Sequence, residues 1–449
     1  MKYFQLAADQ GIAPAQTNLA YCYYYGLGVE QDFEEAVKYD LLAADQGDPD
    51  AQYSLGNYYY AGEGVEQDYE KSFEYTRLAA EQGHPNAQYN LGWDYRYGEG
   101  VEQNYDEALK YYRLAADQGF SDGMFAVGDC YYLGLGVEQD LEEAAKWYQQ
   151  ALDAGYEPDE TDLEHLIAVY EEKPESMVFE SFAEVLNEAG KKAAAEGEYD
   201  KSYEYFTMEA DMGYVKGVAN LGVLYGNGLG VEQDYEKALE YYEQAAQQGY
   251  AGALYNLGVL YYEGDGIEPD YEKAVEYFQQ AADQGFPDAQ YNLGVAYYDG
   301  IGVEQDYEKS FEYTRLAAEQ GIPVAQYNLG RDYQYGEGVE QDYDKAMEYY
   351  QLAADQGFGI AMNNIGDLYE NGYGVEQDYE KALEYYNAAI DAGAPAGYWS
   401  LGTMYEEGYG VEQDYEKAAE YYQLAVDEGV QEAAEDLERM IEEGLIEAD

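Results

Sequence analysis

The chain has 449 residues, 94 acidic against 22 basic side chains, and a formal net charge of −72. Binding to DNA, RNA or anionic lipid relies on lysine and arginine, so this balance argues against those partners and favours a basic one. Hydrophobic residues make up 47%. That is enough to build a core, while no run of about 18 apolar residues exists to span a membrane.

Elements repeat along the chain. The opening "MKYFQLAADQG" matches "EYYQLAADQG" from Glu348, so the chain begins inside a repeat. This start is compatible with a trimmed or partial sequence, and whether a leader or further repeats precede it stays open. The segment "GVEQDFEE" follows from Gly28, and "GVEQDYEK" recurs letter for letter from Gly64, Gly230, Gly302, Gly374 and Gly410. Its valine falls at Val29, Val65, Val101 and Val137, each 36 residues after the last. The next, Val231, comes 94 residues later. Inside that gap, "TDLEHLIAVYEE" reads as a helix ending near Pro174. "ESMVFESFAEVLNEAGKKAAAEG" reads as another, and Gly197 to Gly213 as half of a degenerate repeat, with 22 residues left over. Such an insertion is expected to bend the array or form a distinct surface. The 36-residue period then resumes through Ile267, Val303, Val339, Val375 and Val411. The last stretch, "QEAAEDLERMIEEGLIEAD", is polar and unrepeated, as an end cap should be. The division predicted is 1–155, 156–213, 214–429 and 430–449.

One unit, Ile322 to Gly357, shows why each repeat is a helix pair. Pro323 suits a helix start, since its missing N–H would be unpaired there. Ala325, Leu329, Gly330 and Tyr333 share a face, and Gly336 and Gly338 stop the helix. Asp342 is placed to cap a second helix. Tyr343, Ala346, Met347, Tyr350, Ala353 and Ala354 form its apolar stripe, and Gly357 ends it. "GVEQDYEK" is therefore a turn plus an N-cap, with the valine plugging the turn into the core. It lacks the Lys-Ser/Thr of a phosphate loop. A glycine inside a helix costs about 1 kcal/mol. Its return at Gly56, Gly92, Gly128, Gly222, Gly258, Gly294, Gly366 and Gly402 predicts close helix approach. A larger duplication is also visible. "EKSFEYTRLAAEQGHPNAQYNLGWDYRYGEG" from Glu70 returns, with few changes, from Glu308.

The pattern A-x3-L-G-x2-Y-x2-G-x-G-V-x2-D-x2-K-A-x3-Y-x2-A-A-x2-G resembles the Sel-one-like repeat, a tetratricopeptide-related module. The likeness covers nearly the whole chain in about eleven units. Tyrosine usually stands where the family often has tryptophan in the second helix, with Trp147 as an exception. The resemblance implies an all-α, right-handed solenoid of antiparallel helix pairs whose first helices line the concave side. It also implies noncatalytic scaffold or adaptor work. The register of the related repeats marks concave candidates for binding a protein or peptide. These are Tyr53, Asn57 and Tyr60; Tyr89, Trp93, Arg96 and Tyr97; Tyr255, Tyr262, Tyr291 and Tyr298. Tyr327, Arg331, Gln334 and Tyr335 continue the row, followed by Trp399, Thr403 and Glu406. Aromatic and arginine side chains on a groove are typical anchors.

No catalytic pattern emerges. His84 and His165 are the only histidines, and neither has a second ligand at metal spacing. His84 is expected at a helix start and His165 on a helix of the irregular centre. Cys22 and Cys130 occupy one register three units apart, roughly 30 Å at about 10 Å per stacked helix layer, too far for a disulfide. Both read as small buried hydrophobes. No cofactor or metal is expected, and the chain is expected to be monomeric. Its compartment stays open between the cytoplasm and, if a leader is missing, secretion. Two other readings stand beside the scaffold: a salt-adapted or cation-buffering acidic protein, and an envelope protein that binds or processes carbohydrate.

Overall fold

The computed structural model describes residues 2–177 and 180–446. Among them there are 25 α-helices, a short 3-10 turn at Pro174–Ser176 and no strand. The backbone divides into two compact units, Met1–Lys192 and Ala193–Asp449. Each is an all-α solenoid in which successive helices pack side by side.

Local chemistry sets the helix ends. Pro323 opens the helix Pro323–Tyr335, and Gly336 closes it in the left-handed region at φ 74°. The carboxylate of Asp342 accepts the Lys345 N–H at 3.1 Å to start Tyr343–Asp355. The expected stripe faces inward. Ala346, Tyr350, Ala353 and Ala354 are buried with Ala325 and Leu329, and Val339 of the turn packs against the same cluster.

Packing explains the helix-centre glycine. A Cβ on Gly330 would stand 2.6 Å from the Tyr350 ring of its own unit. Tyr112, Tyr148, Tyr386 and Tyr422 press on Gly92, Gly128, Gly366 and Gly402 in the same way. The second turn glycine has a different reason. A Cβ on Gly338 would collide with the Tyr307 carbonyl of the preceding unit's second helix, so this turn is also an inter-unit contact. Buried amides join units as well. Gln326 donates to the Ala318 carbonyl at 3.2 Å and accepts from Gln356 at 2.8 Å, leaving its side chain satisfied.

The irregular centre holds the helices Glu160–Glu172 and Glu180–Glu196; residues 178 and 179 of the second expected segment lie outside the described residues. The degenerate repeat supplies the helix Tyr199–Asp211. At the far end Gln431–Glu442 packs on Tyr415–Asp427, with Ala433 and Met440 buried. Residues 447–449 of the expected cap are likewise outside the described residues. Cys22 and Cys130 are free and buried.

Candidate functional site

The predicted binding residues all lie on first helices, and the structure sorts them by what they touch. Tyr53 stacks on His84 at 4.6 Å, and Tyr89 leans on Tyr112 and Phe120. Tyr255 meets Phe278 and Phe286, and Tyr327 meets Tyr350 and Phe358. These four half-buried rings join one unit to the next. Tyr262 is also half-buried, its ring edge against Tyr271. Trp399 donates its indole N–H to Asp436 at 2.9 Å and is held by the terminal helix. Tyr60, Trp93, Tyr97 and Tyr335 are the most exposed, at 40%, 37%, 49% and 58%. Trp93 and Tyr97 touch at 4.4 Å, and the Arg96 guanidinium lies 5.4 Å from the Tyr97 ring.

Arg96 is also the end of a buried ion cluster in the first unit. It donates to Asp129 at 2.9 Å. Asp129 additionally faces His165 Nδ1 at 2.9 Å and accepts the Tyr148 hydroxyl at 3.0 Å. Burial works against the Asp129 charge, but His165 and Arg96 outweigh it and hold the carboxyl below its ordinary range. The same hydrogen bond raises His165 above its ordinary value. Residues 96, 129 and 165 are far apart in sequence, and only the stacking of helices brings them together. His84, as expected, caps a helix: its Nδ1 accepts the Ala87 N–H at 3.2 Å.

In the second unit, Tyr291, Tyr298 and Arg331 line one pocket of about 190 Å³ with Val295, Ser310, Thr314, Asn328, Asp332 and Glu337. Its origin is a missing ring. Most second helices carry Tyr or Phe opposite the central glycine, whereas Thr314 stands opposite Gly294. Asp332 lines the cavity at only 6% exposure. Burial, with Glu337 nearby and Arg331 partly offsetting both, pushes its carboxyl up to about 7. The Tyr298 hydroxyl donates to Glu337 at 3.1 Å. Sequence reasoning found the aromatic rim and Arg331 but missed Thr314, Asp332 and Glu337. The available signal was a Thr in an aromatic column and an Asp in a column that is otherwise apolar.

No group of three or more His, Cys, Asp or Glu among the described residues is arranged to hold a metal ion, and no helix among them is long and apolar enough to cross a membrane. Helix pairs joined by glycine turns and packed through small residues define a tetratricopeptide-like α-solenoid. The Sel1 repeat pattern matches residues 1–12, 13–48, 49–84, 85–120, 121–156, 215–250, 251–286, 287–322, 323–358, 359–393 and 395–430. The chain belongs to the Sel1 repeat family.

Among solved structures it is similar to c5321, a protective antigen present in uropathogenic Escherichia coli strains that displays an SLR fold. The two are 31% identical over 99% of this chain and 91% of that one, with a TM-score of 0.55. A Sel1 repeat protein from Oxalobacter formigenes is 30% identical over 54% of this chain and 96% of its own, with a TM-score of 0.49. No curated protein matches the sequence. Sel1 repeat proteins generally act as protein-interaction scaffolds, and the fold is typically noncatalytic.

Proposed function

We propose that this chain is a noncatalytic scaffold that binds a protein or peptide along the face made by the first helices of each unit. One observation carries the reading: the first-helix face keeps large aromatics open to solvent at Tyr60, Trp93 and Tyr97 in the first unit and at Tyr335 in the second, where it also opens the 190 Å³ pocket beside Arg331. Exposed aromatics rimmed by charge are what interface anchors require. With a net charge of −72, a basic partner is favoured by long-range attraction.

An array of immobilised peptides, probed with the full chain, tests this. Variants Trp93→Ala with Tyr97→Ala in the first unit, and Tyr335→Ala in the second, should each abolish a subset of bound peptides while the melting temperature holds. These rings are better probes than Tyr89, which is wedged between Tyr112 and Phe120. Peptide binding indifferent to all three substitutions would move the partner site off this face.

A further inference from the structure

The duplicated stretches Glu70–Gly100 and Glu308–Gly338 differ from each other at only four positions, Trp93 against Arg331 among them. They share a combination found in no other unit. Thr76 and Thr314 occupy the column filled elsewhere by residues such as Tyr112, Tyr350 and Phe278. Asp94 and Asp332 occupy a column filled elsewhere by Leu224, Leu368, Met404 and the like. Removing a ring opens space, and the added carboxyl borders it.

Neither of these two aspartate side chains has a hydrogen bond or ion pair among the described residues. Asp94 and Asp332 are each 6% exposed. Asp94 Oδ2 and its neighbour Glu99 Oε2 are buried without a hydrogen-bond partner. The Asp332 side chain lines its pocket with no hydrogen bond or ion pair among the described residues; Arg331, on the same wall, offsets only part of the burial and forms no ion pair with it. A buried carboxylate without a partner costs stability, whereas an apolar residue in the same column would contribute to it. Folding alone therefore does not account for Asp332, while the half-buried Glu337 beside it already accepts the Tyr298 hydroxyl. A cationic group with several N–H donors would account for Asp332.

The pocket specifies which one. Its volume, about 190 Å³, takes a single side chain and no larger element. Tyr291 and Val295 offer apolar wall for an alkyl stem. Asp332, Glu337 and Asn328 offer acceptors for a three-donor ammonium at the end of it. We propose that this pocket receives a lysine side chain presented by a basic peptide segment of the partner, with the ammonium between Asp332 and Glu337. The assignment rests on the first helices forming the partner-binding face. In the first unit the equivalent oxygens are closed off from solvent, so only the second-unit pocket is assigned.

The test uses the full chain and a dye-labelled Gly-Ser-Gly-Lys-Gly-Ser-Gly peptide, followed by fluorescence anisotropy. The same peptide carrying acetyl-lysine is the comparison. Thr314→Tyr restores the ring that other units carry, opposite Gly294, and blocks the pocket without changing charge. Asp332→Asn with Glu337→Gln removes the acceptors. The control is Glu340→Gln with Glu376→Gln, two exposed acids away from the pocket. The lysine peptide should bind, the acetylated one should not, and each pocket variant should weaken binding at least about tenfold. The control should hold within about twofold. No binding of the lysine peptide, or equal binding by wild type and Thr314→Tyr, overturns the proposal. Loss through Tyr335→Ala without loss through the pocket variants overturns the pocket and leaves the binding face standing. Indifference to both sets overturns both.

Discussion

Asp94→Asn gives the sharpest test of the buried acids. Asp94 is 6% exposed, its Oδ2 has no partner, and burial with Glu99 nearby pushes its carboxyl up to about 7. A free aspartate loses its proton near pH 3.9, with about 1.4 kcal/mol for each tenfold change. The native state thus holds a proton that the unfolded chain has already released. Stability falls as pH rises between those two values and stays lower above the upper one. About 2–3 kcal/mol of that loss falls between roughly pH 5 and pH 8. Asparagine does not titrate, and its N–H groups can face the unpartnered Glu99 Oε2. The variant should therefore gain about 2–3 kcal/mol on wild type in going from pH 5 to pH 8, whatever its offset at pH 5. Urea unfolding at the two pH values measures this, provided the slopes agree, because repeat arrays depart from two-state behaviour. A variant-minus-wild-type difference that is the same at both pH values would mean that Asp94 ionises as a hydrated carboxyl does, and the reasoning would fail.

Four further outcomes are expected. Gly330→Ala should cost about 1–3 kcal/mol through collision with Tyr350, despite the roughly 1 kcal/mol gained in helix propensity; a urea midpoint at or above wild type would show that the ring has room. Asp129→Asn should destabilise the first unit by about 3–5 kcal/mol, since it strips Arg96 and His165 of their shared partner. His165 is raised in the fold, so its contribution is complete below the unfolded value near 6.5 and is lost as pH rises through the folded one. His165→Gln should remove that neutral-pH component from a melting curve series and leave the acid side unchanged. The melting temperature should climb with sodium chloride, because exposed like charges are screened within about 10 Å at 0.1 M; a flat response would mean that self-repulsion is small.

Much of the fold was legible because it is local and repeated. Asp342 caps its helix through a contact three residues away, and Gly336 needs a left-handed backbone whatever surrounds it. The stripe through Ala346 and Tyr350 points inward because helical geometry puts it on one face. The site was only half legible. Aromatic positions could be counted along the repeat, but Tyr89 and Tyr327 look the same in sequence as Tyr335, although their rings are wedged between neighbours and that of Tyr335 is 58% exposed.

The amino-acid sequence by itself determined the helix pairs, their period and the sign of the surface, because caps, turns and amphipathic stripes act over a few residues and charge only has to be counted. Tertiary structure decided what contact at a distance decides. It made Gly338 a contact with the preceding unit, joined Arg96 to Asp129 and His165, and turned a threonine at 314 into a pocket bordered by Asp332. The reason is physical: an empty space belongs to no residue, and it exists only once three neighbouring helices have packed around the ring that is not there.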